Sequence, residues 1–130
     1  MSPSPKNEVN KMANYKLARS IKDVRNYLEG ANIISFDFET APRDKYRNEP
    51  YAALDPHKSN IVGVSFSREP GTAIYVPIAH KNTNLNIDVF AVLKEFAEGS
   101  AVKIAHNLSF ETMFLYSNGI LIKPPVYDTM

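Results

Sequence analysis

The run Ile33-Ile34-Ser35-Phe36-Asp37-Phe38-Glu39 constrains this chain more than any other stretch. Strand side chains alternate between two faces, so Ile34, Phe36 and Phe38 share one face while Ser35, Asp37 and Glu39 share the other. The apolar face has to be buried, which makes this a central strand. The other face presents two carboxylates whose backbones are roughly 7 Å apart. Two readings stay open for that pair. It is either a set of surface charges on a wetted face, or a like-charged pair whose desolvation is offset by a cation.

Composition limits what such a cation site can contain. The 130 residues include no Cys, which excludes disulfides, thiolate metal sites and cysteine nucleophiles together. A metal would be held by carboxylates, carbonyls, water or one of three His. Oxygen ligands of this kind suit a hard divalent ion such as Mg²⁺. The 15 basic and 14 acidic residues leave a net charge of +1, which excludes a strongly basic nucleic-acid coat but not a local basic strip. Length and a 44% hydrophobic share fit one globular domain. Residues 1–13 are polar with two Pro and read as a flexible tail. No apolar run approaches the roughly 18 residues of a membrane span. The expected setting is a reducing cytoplasm.

Around the central strand the pattern is α/β. Asn14 to Ala18 reads as a short extended piece. Ser20 and Asp23 form a near capping box for a helix carrying Ile21, Val24 and Leu28, which Gly30 stops. Thr40 to Ser59 reads as a long, poorly ordered connection. Asn60–Ser67 and Ala73–Ile78, joined by Arg68-Glu69-Pro70-Gly71, predict an antiparallel hairpin, and Pro77 predicts an edge position for its second strand. A helix from about Ile87 to Glu98 comes after the hairpin. Next come a strand at Val102–Ala105, a helix at Ser109–Asn118 capped by Ser109 or Asn107, and a strand at Pro125–Asp128. Helical crossovers imply parallel pairing for the later strands, so the sheet is expected to be mixed and five-stranded.

Glu111 adds a third acid, in the segment His106-Asn107-Leu108-Ser109-Phe110-Glu111 where a strand ends and a helix begins. By itself it complements a helix dipole. Beside Asp37 and Glu39 it offers a third oxygen ligand at one edge of the sheet, which suits metal-assisted phosphoryl transfer.

These residues resemble a known family. Phe36-Asp37-Phe38-Glu39-Thr40 is similar to the first motif of the DEDD-type 3′–5′ exonucleases, and His106-Asn107-Leu108-Ser109-Phe110-Glu111 to the second. Ile61-Val62-Gly63-Val64-Ser65-Phe66, Glu69-Pro70-Gly71, Tyr75-Val76-Pro77-Ile78-Ala79-His80 and Tyr127-Asp128-Thr129-Met130 resemble the proofreading exonuclease domain of family A DNA polymerases. The likeness runs from about Asn14 to Met130. It implies a ribonuclease-H-like fold and two-metal hydrolysis, by Mg²⁺ or Mn²⁺, of phosphodiesters at the 3′ end of single-stranded DNA. Asp37, Glu39 and Glu111 would be the metal ligands, and Thr40, Asn107 and Phe110 would line the substrate path. Glu111 stands where the family usually has aspartate, a carboxylate one methylene shorter. The third motif, with its fourth acid, is expected beyond Met130, in a protein that continues into a polymerase domain; the likeness implies its tyrosine form. Residues 14–130 are thus expected to be the N-terminal portion of the domain, weak or inactive alone. A catalytically silent single-strand-binding module and a ribonuclease D-like RNA exonuclease remain as alternatives.

Other residues are read as framework. His57, His80 and His106 are too scattered to form a ligand set. Arg43, Lys45, Arg47 and Lys58 share their loop with Asp44, Glu49 and Asp55, so a solvated loop accounts for them better than a DNA-binding strip does. Asp128 reads as a structural acid at a strand end.

Overall fold

The computed structural model describes residues 14–78 and 89–129. The expected tail at 1–13, His80 and the first residues of the helix expected from Ile87 lie outside the described residues. Among the described residues six strands form one sheet: β1 (Tyr15–Leu17), β2 (Ile33–Pro42), β3 (Ser59–Ser67), β4 (Ala73–Pro77), β5 (Val102–Ala105) and β6 (Val126–Asp128). Among the same residues three helices connect them: α1 (Ile21–Leu28), α2 (Val89–Glu98) and α3 (Leu108–Ser117). The sheet order is β1-β4-β3-β2-β5-β6, with β2, β3 and β4 antiparallel and β5 and β6 parallel to β2. This is the expected mixed α/β architecture with one strand more. The short piece at Tyr15–Leu17 pairs parallel to β4 along Ala73–Tyr75 and becomes the sixth strand.

That extra strand corrects the edge position expected for β4. Proline is still tolerated there because β1 stops at Tyr75, leaving Pro77 beyond its last pair, while the next amide, Ile78, donates to Val62 of β3. The stretch Thr40–Ser59 is also better organised than its composition predicts. β2 continues through it to Pro42 past a bulge at Glu39/Thr40, and two 3₁₀ turns, Asp44–Tyr46 and Ala52–Leu54, fold it back onto β2 and β3. Its charges pair within the loop, Arg47 with Asp44 and Lys58 with Glu49, and the Arg43 guanidinium donates to the His57 carbonyl.

Alternation puts Ile34, Phe36 and Phe38 on the buried face with Val64, Phe66, Ile74 and Val76 from the neighbouring strands. Helices α1, α2 and α3 all contribute to this core, through Ile21 and Val24, Leu93 and Phe96, and Phe114 and Leu115. Phe96 meets Phe36 and Phe66 edge-on with ring centroids 4.9 Å away in each case, a favoured aromatic geometry. The opposite face carries Tyr15, Leu17, Ile33 and Tyr127, all exposed, alongside Asp37 and Glu39. No helix among the described residues is long and apolar enough to cross a membrane.

One charge lies in the core side of the sheet. Lys103 of β5 is fully buried, and its ammonium donates to the carbonyls of Gly99 (2.5 Å), Ala101 (3.0 Å) and Lys123 (3.0 Å). Burial holds its pKa below the usual lysine range. The three bonds tie the end of α2 to the segment entering β6. Lys103→Met leaves those carbonyls without a donor and is expected to lower stability by about 2–4 kcal/mol. The exposed Lys94→Ala should change it by less than about 0.5 kcal/mol. Parallel urea unfolding of the two variants measures the difference; equal midpoints would contradict it.

Candidate active site at the end of the central strand

β2 is longer than its parallel neighbour, and the site arises from that mismatch. The β2–β5 register ends at Phe36 opposite Ala105, so Asp37, Phe38 and Glu39 run on past the end of β5. The chain leaving β5 turns at His106 and Asn107 and enters α3 there. Asn107 makes the turn a helix start, its Oδ1 accepting the Phe110 amide (3.4 Å). Asp128, at the end of β6, accepts the Leu108 amide (3.3 Å). These two caps set the first turn of α3 against the projecting end of β2, and Glu111 swings into the gap. Such a crevice, at the carboxyl ends of parallel strands, is where α/β sheets bind ligands.

Glu111 is 1% exposed. The backbone amides of Phe38 and Asn107 face its carboxylate, yet its Oε2 has no hydrogen-bond partner. Burial, then the nearby Asp37 charge, pushes its pKa up to about 7, with a smaller push from Asp128; the two amides act in the opposite direction. Asp37 is exposed on the open face beside it and borders a concavity of about 300 Å³ that also includes Ser35, Ser65, Ile104, His106 and Thr129. Glu39 lies on the same face two residues on, where its carboxylate accepts the Tyr75 hydroxyl. Burial and the Glu39 charge push the Tyr75 phenol up, so the hydroxyl keeps its proton and acts as the donor.

The structure therefore brings Glu111 to Asp37 and leaves Glu39 tethered to β4. Among the described residues no three His, Asp or Glu are gathered as a ready-made metal cage. The residues expected to line the substrate path are placed differently from one another. Asn107 is engaged in its cap, and Phe110 is half-buried against Phe114 with centroids 4.9 Å apart. Thr40 alternates to the side of Phe38, away from the two acids, and its hydroxyl donates to the Ala53 carbonyl (2.6 Å). His106 is exposed, with Nδ1 3.3 Å from the Thr129 hydroxyl, and His57 sits in the distant loop. Tyr75 and the Phe38 amide are site groups that motif reading misses. The one signal for Tyr75 is the hairpin register, which sets it opposite Ser65 and Ser65 opposite Asp37.

No protein-family model matches the chain. It is 28% identical over 116 residues to DNA polymerase I of Chloroflexus aurantiacus and 30% identical over 111 residues to that of Pseudomonas aeruginosa. These matches take in 87% and 79% of this chain but span only 11% of each relative. Among solved structures, Brucella melitensis NrnC superposes with a TM-score of 0.58 at 21% identity, covering 89% of this chain and 48% of NrnC. Trypanosoma brucei RNase D superposes with a TM-score of 0.65 at 14% identity, covering 91% and 39%. One NrnC structure holds Mg²⁺. In sequence the chain is similar to part of DNA polymerase I, and its mixed α/β fold is shared with NrnC and RNase D.

The raised pKa of Glu111 makes stability pH-dependent in a defined direction. The folded chain holds the proton to about pH 7, against 4.5 for an ordinary glutamate. The stability this group contributes is therefore full below pH 4.5 and is lost as pH rises through 7. The loss is at most about 3.5 kcal/mol. In chelator-treated protein, unfolding free energies at pH 5 and pH 8 should differ more for wild type than for Glu111→Gln, which cannot ionise. Equal pH slopes in the two proteins would contradict this assignment.

Proposed function

We propose that this DNA polymerase I-like chain is a 3′–5′ exonuclease domain that hydrolyses phosphodiesters at the 3′ end of single-stranded DNA, with two divalent cations held by Asp37, Glu39 and Glu111. One observation carries the reading: a buried carboxylate with an oxygen lacking any hydrogen-bond partner lies beside a second carboxylate. Two such groups are unfavourable together unless positive charge joins them. An all-oxygen donor set in a Cys-free chain fits Mg²⁺ or Mn²⁺. When bound, these ions supply Lewis-acid polarisation of the phosphate and a water acidic enough to attack it.

The chain's own residues set up that chemistry. Asp37, exposed on β2 just past the last β2–β5 pair, would hold divalent cations together with Glu39 and Glu111. Glu111 ionises fully only above about pH 7, so metal and proton compete for it and cation affinity should weaken as pH falls. Glu39 is already oriented by its tether. Phe110 and Asn107, in the same first turn as Glu111, are assigned to the path of the single strand, where stacking and backbone contacts need no sequence readout. Thr40 is assigned beside the terminal nucleotide through its backbone, its hydroxyl being engaged by Ala53. Similarity to DNA polymerase I supports a DNA substrate and a polymerase region elsewhere in the protein; the cytoplasm is the proposed setting.

Incubated with 5′-labelled single-stranded DNA and Mn²⁺ or Mg²⁺, the full-length protein should shorten the strand stepwise from its 3′ end, whereas residues 14–130 alone should do so weakly or not at all. Chelation should stop the reaction, and Asp37→Ala should reduce it to background. Intact DNA despite bound Mn²⁺ would contradict hydrolysis and favour a silent single-strand-binding module. Preferential shortening of RNA would favour the ribonuclease D-like alternative.

A further inference from the structure

Resting on the proposed metal site, we propose that Tyr75 is a positioning residue of the acidic cluster, its hydroxyl reaching across Gly63 to hold the Glu39 carboxylate in place for a cation. The register supplies the geometry. Glu39 of β2 pairs directly with Gly63 of β3, and Tyr75 of β4 pairs with Ser65, so the Tyr75 side chain reaches Glu39 by lying diagonally over Gly63. A Cβ added at Gly63 would stand 1.9 Å from the Tyr75 hydroxyl oxygen, 2.4 Å from its Cζ and 2.8 Å from a ring carbon. The phenol therefore rests on bare backbone, and only glycine leaves it room.

That explains a residue otherwise out of place. Glycine weakens a strand interior and marks close approach of another group. Gly63 sits in the middle of the β-branched run Ile61-Val62-Gly63-Val64, in a buried strand. Here the close approach is by the phenol.

The bond has a consequence for Glu39. An exposed glutamate on an open sheet face samples several rotamers, and Glu39 is exposed. One hydroxyl donor fixes the carboxylate while leaving acceptor capacity for a cation, since an ionised carboxylate offers about four lone-pair sites. Ligand orientation by such outer groups typically changes metal affinity by about 10- to 100-fold. Tyr75 touches neither cation nor substrate in this scheme; it acts through Glu39.

Two substitutions break the bond by different routes. Tyr75→Phe removes the donor and keeps the ring. Gly63→Ala keeps the donor and pushes the ring aside. Mn²⁺ titration followed by electron paramagnetic resonance should show each single variant binding about tenfold more weakly than wild type. The double variant should bind no more weakly than the weaker single, because both changes remove one bond. Metal-free thermal unfolding of Tyr75→Phe should stay close to wild type. Wild-type Mn²⁺ affinity in Tyr75→Phe would overturn the role, as would an affinity loss matched by an equal loss of metal-free stability. Asp37→Ala is titrated alongside. If it loses Mn²⁺ binding while Tyr75→Phe does not, the Tyr75 role alone is wrong. If Asp37→Ala binds normally, the metal site and this role fall together.

Discussion

A glutamate carboxylate closed off from water beside an aspartate is a costly arrangement, and the architecture at this end of the sheet exists to produce it. β2 outruns β5, so its acids project beyond the last β5 pair. The turn out of β5 has to become a helix at once, and Asn107 with Asp128 supplies the acceptors that let it. Glu111, one turn in, has nowhere to point except the gap beside Asp37. Remove any of these conditions and Glu111 becomes an ordinary exposed residue near a helix N-terminus.

The rest of the fold is a platform for that gap. All three helices share one core against one face of the sheet, with Phe96 at its centre and the Lys103 ammonium binding the end of α2 to the strand edge. Rigidity on that side leaves the other face open, and the acids are on the open side. Strand alternation thus does two jobs in one segment, burying Ile34, Phe36 and Phe38 while delivering Asp37 and Glu39 to solvent.

Much of this was legible in the residues because it depends on period and punctuation. The alternation of Ile33–Glu39, the Pro-Gly hairpin and the Ser20 and Asn107 caps are local signals, and each element they mark is present. The pairing of β1 was not legible, since three residues carry no period and gain their partner only when β4 is in place. The order within Thr40–Ser59 was hidden because it depends on long-range ties, such as Thr40 to Ala53 and Arg43 to His57. The burial of a lysine ammonium at Lys103 was not legible either, since it depends on the carbonyls of Gly99, Ala101 and Lys123 converging on it. The three acids are visible as motifs, but that Glu111 is buried while Glu39 is tied to Tyr75 depends on register across four strands.

The central claim is that Asp37 and Glu111 form one electrostatic unit completed by a cation. Carbon-13 NMR of labelled glutamate side chains, titrated with pH, reads the Glu111 carboxyl directly. Without metal it should titrate near pH 7, and saturating Mg²⁺ should hold it ionised well below that value. A Glu111 carboxyl that titrates near 4.5, or that ignores Mg²⁺, would contradict the claim.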